Sequence, residues 1–394
     1  MKRAVMLLLA FAACAKPDPV QHYGFVATLG NDTVSVEQVT RNSTALVSEE
    51  VDRFPLVRQR HTEFALAPDG KITHMVMRVR TPSGTTPAER GRLVTAEFTA
   101  DSVFIVITDS AGVSKRAFRT NGALTVPHVS MMYSVIEHEI ATVLRQTKAV
   151  GDSAPFRQFY PDRDVGPSFV LHSGWVQRRT GDSVMLRHDW LSGRGDVTMD
   201  SAGGMQTYSG QRSTYKVEVK RIATVPNIDT LAMQFAATER ARGASQLSVR
   251  DTTRATIGTA TLEIDYGRPL LRGRTLLGNV ISYDRVWRTG ANAATQFTTS
   301  APITLAGISL AKGTYTLWTV PHTTGVEIIV NSESGQWGTE YDSARDLGTA
   351  PLQTEVLAKP VERFTIGVTT RDARRGALVM EWGTFRWVGG IVVK

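Results

Sequence analysis

"DTVSVEQV", residues 32–39, sets Val34 and Val36 between Thr33, Ser35 and Glu37. A period of two is the signature of an extended strand with one face turned to a core. The same alternation returns in "KITHMVMRV" (71–79), "DSVFIVIT" (101–108) and "STYKVEVK" (213–220). Polar clusters punctuate the runs. "GNDTVSV", "TADSVFI" and "TGDSVML" open strands, while "PDGK", "DSAGV" and "DSAGG" close them. Asp and Gly there tolerate the left-handed backbone that tight hairpins need. The spacing is too irregular for a solenoid or a propeller. The expectation is an all-β protein built as a meander of antiparallel hairpins.

One stretch breaks the alternation. "SVIEHEIATVLRQ" (134–146) places Val135, Ile136, Ile140, Val143 and Leu144 at helical spacing, which predicts one helix near 130–147 lying across a curved sheet. Glu137, His138 and Glu139 are consecutive, so their side chains diverge by about 100° each and do not form a metal site. They are expected on a solvated helix face. No metal and no cofactor is expected.

At 394 residues the chain is long for one core, and two domains are expected. The alternation relaxes over 229–250, where a short candidate helix precedes Gly243, Ala244 and Ser245. Five tryptophans (Trp287, Trp318, Trp337, Trp382 and Trp387) lie beyond it. The division expected is a leader over 1–13, a tether over 14–24, a first β domain over 25–228, a linker over 229–247 and a second over 248–394. The first reads as a curved sheet or open barrel with the helix packed on it. The second reads as a jelly-roll-like β-sandwich, because its strands are short and its turns frequent.

The N-terminus, "MKRAVMLLLAFAACAKPDP", has a basic tip, a short apolar run and small residues before Cys14, the anatomy of an export signal. "FAAC" resembles the lipobox of bacterial lipoproteins, with Phe11 where leucine is usual. Cys14 is the single cysteine, so it forms no internal disulfide and suits lipidation. The expected protein is exported and tethered to the cell envelope through Cys14. A plain secretory signal is the alternative. The formal charge of +8, less the two cations Lys2 and Arg3 of the leader, leaves +6. The remaining bases are interspersed with acids, as in "RRTGDSVMLRHD", and no nucleic-acid partner is expected.

The chain lacks a G-x-S-x-G elbow, an H-E-x-x-H helix, a Walker loop and a Rossmann fingerprint. Ser213–Lys216 matches S-x-x-K, but Val217 and Val219 continue a strand-like alternation there, whereas that catalytic motif needs a helical turn. His322 falls in a loop and reads as structural or solvated. The second half holds "LEIDYGRPLLRGRTLLG" (262–278), "YDRVWRTGANAATQF" (283–297), "AKGTYTLWTVP" (311–321), "EIIVNSESGQWG" (327–338) and "ALVMEWGTFRWVGGIVV" (377–393). In this order they resemble a bacterial family known as domain of unknown function 2911, over about 250–394. Lys312, between Ala311 and Gly313, departs from its pattern. The resemblance implies an exported all-β domain and carries no activity.

The candidate binding residues are Tyr266, Arg268, Arg274, Trp287, Arg288, Asn292 and Trp337. Arginine forks suit carboxylates, phosphates or sugar hydroxyls, Asn292 adds a donor and an acceptor, and the tryptophans offer an aromatic wall. The same residues could serve only the fold, with the arginines stacked on rings and bonded to loop carbonyls. The function expected is non-enzymatic recognition of a polar or anionic small molecule, a glycan or an envelope-protein partner. The alternative is a hydrolase using a carboxylate pair such as Asp265 and Asp284.

Overall fold

The computed structural model describes residues 19–53, 56–82, 91–161, 171–188, 193–214, 216–242 and 248–394; the leader and Cys14 lie outside them. Two antiparallel sheets of fifteen and nine strands make an all-β, two-domain protein.

The first sheet starts at its own centre. β1 (Gln21–Leu29) pairs on one side with β2 (Asp32–Arg41), and the meander runs outward through β3 (Ala45–Arg53), β4 (Val57–Leu66), β5 (Ile72–Arg80), β6 (Arg92–Phe98) and β7 (Ser102–Asp109) to β8 (Gly112–Arg119). The chain then passes to the opposite edge, β9 (Thr125–Pro127), and returns through β10 (Ser153–Phe159), β11 (His172–Arg178), β12 (Ser183–His188), β13 (Gly195–Met199) and β14 (Met205–Ser209). β15 (Glu218–Ile222) closes on β1. Consecutive chain segments therefore occupy opposite edges, so the sheet must curl. Phe98 and Phe118 reach Phe159 across the gap, with ring centroids 5.9 and 5.1 Å apart.

The curl changes the status of the helix. Tyr133–Leu144 is helical, yet Glu137, His138 and Glu139 are at most 1% exposed rather than solvated. A sheet that wraps a helix leaves it no free face, and each polar group then needs a partner. Glu137 accepts from Tyr23 Oη, Arg221 (2.6 Å) and the Met205 N–H (2.7 Å). Burial and the nearby Arg41 push the His138 imidazole down to about 4. It is therefore neutral, accepting from Arg41 at 3.2 Å and donating to the Gly70 carbonyl at 2.8 Å. Met132 offers no side-chain cap. The Glu37 carboxylate from β2 takes that place, accepting from the N–H groups of Tyr133 (2.7 Å) and Ser134 (3.0 Å), from Ser48 Oγ (2.7 Å) and from Ser134 Oγ.

Strand and helix bounds elsewhere depart modestly from the expectations. The run 213–220 becomes a strand only from Glu218, and Ser213 instead closes a turn on the Gly210 carbonyl at 2.8 Å. Ile228–Arg242 is one helix of 15 residues, longer than expected. It packs on the outer face of the sheet, Ile228 and Ala232 against Val36, Val51 and Val57, and its Glu239 accepts the Val57 N–H at 2.9 Å.

Burial also leaves a pH signature. Glu50 and Asp52 flank Arg60 at 2.7 and 2.6 Å, all three with no exposed side-chain surface. Burial, with the Asp52 charge adding to it, pushes the Glu50 carboxyl up to about 8; burial pushes Glu37 up to about 7 against its four donors. A carboxyl raised in the folded state stabilises while protonated and loses that contribution as pH rises through its folded value. The neutral His138 acts oppositely, but only below its unfolded value near 6.5. The urea midpoint of unfolding is therefore expected to fall between pH 6.5 and 8.5, by about 2 kcal/mol in stability, and Glu50→Gln should flatten much of the slope. A midpoint that holds or rises over this interval would contradict the assignment.

The second domain is one sheet folded into two layers. Its order is β16 (Ser248–Ile257), β17 (Ala260–Pro269), β18 (Thr295–Thr299), β21 (Gly313–His322), β22 (Gly325–Asn331), β23 (Asp346–Thr370), β24 (Arg375–Val393), β19 (Ile303–Leu305) and β20 (Ile308–Leu310). It is a meander broken by one hairpin, β19–β20, that crosses to the far edge. β23, at 25 residues, breaks register with β24 after Val356 and again after Val361. Such irregularities bend a strand and let β23 serve both layers. Its far half meets β17, where Tyr266 Oη accepts the Ile366 N–H at 2.9 Å and donates to the Ile366 carbonyl at 3.3 Å. Trp318, Trp382 and Trp387 are at most 2% exposed.

Candidate functional site

Between β17 and β18 the chain leaves the sandwich and returns only at Thr295. This excursion is pinned to the first domain at the β1–β2 hairpin. The Asn31 N–H donates to the Arg272 carbonyl at 3.0 Å, and the Arg272 guanidinium pairs with Asp32. Gly30 (φ +60°) permits the contact, since a Cβ there would sit 2.0 Å from the Arg272 carbonyl oxygen.

Beside that contact lies a cleft of about 1170 Å³, lined from both domains. The first domain contributes Arg187, Arg194, Arg212 and Lys216, and the second contributes Arg272, Arg274, Arg285 and Arg288. No carboxylate is among its described lining residues. Asp196 faces Arg194 and Arg212 from 4.0 and 3.5 Å, and Asp32 holds Arg272. Arg187, Lys216, Arg274, Arg285 and Arg288 form no ion pair with a described residue. Apolar side chains, among them Met131, Met185, Trp175 and Trp287, fill the rest of the wall. Low-dielectric walls concentrate the field of unbalanced charge in a cleft.

Three of these cations are partly buried and fixed. Arg274 donates from Nε to Leu271 and from Nη2 to Leu270, both carbonyls at 2.9 Å. Burial, with the neighbouring Arg272 charge, pushes it down to about 10. Arg288 lies along Gly338, where a Cβ would stand 2.0 Å from its Cδ. Its Nε is buried with no hydrogen-bond partner, and burial lowers its affinity for the proton. Lys216 donates to the Gln211 carbonyl at 2.7 Å; burial first, then the charges of Arg274 and Arg288, push its ammonium down to about 8.

The "VWRTGAN" corner that presents Arg288 is also a fixed piece of fold. Trp287 exchanges both backbone hydrogen bonds with Thr319 at 2.7 and 2.9 Å, and its ring stacks on Trp382 at 5.7 Å. Thr295 Oγ1 donates to the Thr289 carbonyl at 2.7 Å, and Gly338 N–H to the Asn292 carbonyl at 3.0 Å. Thr289 and Asn292 both have positive φ, 51° and 64°, a conformation that costs energy and is held by its surroundings.

Of the seven candidates, the structure brings Arg274, Trp287, Arg288 and Asn292 to the cleft and leaves three away from it. Tyr266 is a core residue closing the sandwich. Arg268 does the same work, bonding Asp251 (2.6 Å), the Phe364 carbonyl (3.2 Å) and Thr365 Oγ1 (2.9 Å). Trp337 is 51% exposed and does not line the cleft. The suggested carboxylate pair also lies elsewhere: Asp265 pairs with Arg250 at 2.9 Å, and Asp284 with His322 at 2.6 Å. Sequence reasoning did not select Lys216, Arg187 or the other cations of the first domain. Their neighbours in the chain include acids; Asp196 stays with Arg194 and Arg212, whereas Asp182 lines a different cavity from Arg187.

Residues 248–388 match the family model described as a protein of unknown function, DUF2911, so the second domain carries that family's sequence pattern. No curated protein matches the chain. Among solved structures, a DUF1089-family protein from Pseudomonas aeruginosa is 15% identical, covering 46% of this chain and 92% of its own, with a TM-score of 0.34. The polysaccharide lyase Uly1 is 6% identical over 90% of this chain and 89% of its own, with a TM-score of 0.12. At those scores neither likeness carries an argument about fold or activity.

Proposed function

We propose that this β-rich protein is a non-enzymatic receptor for an anionic small molecule, bound in the cleft between its domains; the family match brings no activity with it. One observation carries the reading: Lys216, Arg274 and Arg288 share a partly buried wall, no described carboxylate lines the cleft, and of the three only Arg274 feels described acids, Glu362 and Asp32. Unpaired charge in a desolvated place costs stability, and an anionic ligand would offset that cost. Calorimetric titration of the purified chain with pyrophosphate, citrate and a neutral oligosaccharide tests it. Both anions should bind, more weakly as salt rises, and the sugar should not. Failure of both anions at low ionic strength would remove the proposal.

The same reading places the protein in the cell envelope, tethered by a lipidated Cys14. The basic leader, the apolar run and the single cysteine support it. Among the described residues no helix is long and apolar enough to cross a membrane. One acyl chain binds a bilayer only marginally, so several are expected on the mature N-terminus. Mass spectrometry of the native protein should find Cys14 first and acylated; an unmodified Cys14, or a mature chain beginning elsewhere, would overturn this.

A further inference from the structure

The cleft also restricts which anion it takes, an inference that rests on the anion-binding reading above. We propose that the ligand presents a phosphoryl group carrying two negative charges, gripped by Lys216 from one domain and by Arg274 and Arg288 from the other.

The argument is one of charge and of donors. Of the three cations only Arg274 feels described acids, Glu362 and Asp32, so a carboxylate or a phosphate diester, with one negative charge, leaves Lys216 and Arg288 incompletely offset. A phosphate monoester brings nearly two, because its second ionisation lies near pH 6. Donor number points the same way. Arg274 uses Nε and Nη2 on carbonyls and keeps Nη1. Lys216 has one hydrogen bond, to Gln211, and two protons left. The Arg288 Nε is buried and turned away from a ligand, which leaves its two terminal nitrogens, bonded to no described residue, as the donors. Donors that line one cleft from three side chains and two domains, close enough for Arg274 and Arg288 to act on the Lys216 charge, suit the three terminal oxygens of a tetrahedral group better than the planar pair of a carboxylate. Among the described residues, the charged groups felt by Lys216 are Arg274 and Arg288. Lys216 is therefore the member whose charge depends on pH near neutrality. At about 1170 Å³ the cleft has room for more than the phosphoryl group. Arg187 and Arg285, exposed and without an ion pair to any described residue, draw anions toward it.

The chemistry is shared by a soluble phosphate ester and a phospholipid headgroup, and the experiment separates them. The purified full chain is titrated with glycerol phosphate, dimethyl phosphate and acetate at pH 7 and pH 9.5. Glycerol phosphate should bind at least ten-fold tighter than either monoanion at pH 7. That advantage should shrink several-fold at pH 9.5, where the ligand's charge is unchanged and Lys216 has lost its proton. Lys216→Met should remove both the preference and its pH dependence, while Lys216→Arg should keep the preference and lose the pH dependence. Thermal melts of both variants guard against a folding defect. In a second arm, the Cys14→Ser chain, which cannot be acylated, is sedimented with phosphatidic acid vesicles and with phosphatidylcholine vesicles. Lys216-dependent capture by phosphatidic acid alone supports the headgroup form; binding of glycerol phosphate without capture supports the soluble ester. Equal affinities for glycerol phosphate, dimethyl phosphate and acetate would overturn the phosphoryl assignment and leave the anion receptor standing. Failure of every anion, pyrophosphate and citrate included, would overturn both.

Discussion

Arg288→Met is expected to weaken anion binding by at least about 100-fold while the thermal melt holds or rises. A charge-assisted hydrogen bond contributes about 1.5–3 kcal/mol, and Arg288 is placed to make more than one with a ligand. In the free protein the same guanidinium is a burden, partly buried, without an ion pair to any described residue, and with Nε unbonded. Methionine keeps the stem that rests on Gly338 and removes the desolvated charge, so the fold is expected to gain up to about 1 kcal/mol. Arg268→Met makes the opposite trade. It cuts bonds to Asp251, the Phe364 carbonyl and Thr365, should cost about 2 kcal/mol, and should leave binding intact once the protein is folded. Calorimetry on both variants, with melts alongside, reads the contrast. If Arg288→Met instead melts early and binds normally, the corner is structural and the cleft is not the site.

Glu37→Leu should be among the most damaging single changes in the first domain. It leaves two helix N-terminal N–H groups and the hydroxyls of Ser48 and Ser134 without their acceptor in a fully buried place. Each unsatisfied buried donor costs about 1–3 kcal/mol, so a loss of about 4 kcal/mol or more is expected by urea unfolding. Glu37→Gln, which keeps one acceptor oxygen, should cost clearly less. A Glu37→Leu protein within about 1 kcal/mol of the parent would mean that the helix is held by its apolar contacts and not by this carboxylate.

Much of the secondary structure could be read directly. The runs at 32–39, 71–79 and 101–108 became β2, β5 and β7 to within two residues at either end, because period-2 alternation is a local property. The helix at Tyr133–Leu144 was likewise legible, but its burial was not. Apolar spacing shows that a segment is helical; it does not show that a sheet will curl around it. "Solvated face" and "face met by buried partners" therefore have the same one-dimensional pattern. Glu137 acquires Tyr23, Met205 and Arg221 from three separate strands.

The candidate site divides along the same line. The sequence by itself determined that 286–292 would be an irregular, arginine-bearing corner between strands, because turn residues and broken alternation are written in neighbouring positions. The all-β class and the concentration of tryptophan in the second half were legible there too. Only the tertiary structure decided which arginines serve the fold and which face the cleft. Arg268 and Arg288 look alike in the chain, yet one meets β23 and an aspartate while the other meets no acid among the described residues. Only the tertiary structure, too, brought Lys216 across from the other domain. Charge convergence is a sum over distances in space, and acids near Arg187 and Arg285 in the sequence, Asp182 and Asp284, are carried to another cavity and to His322 when the strands pair.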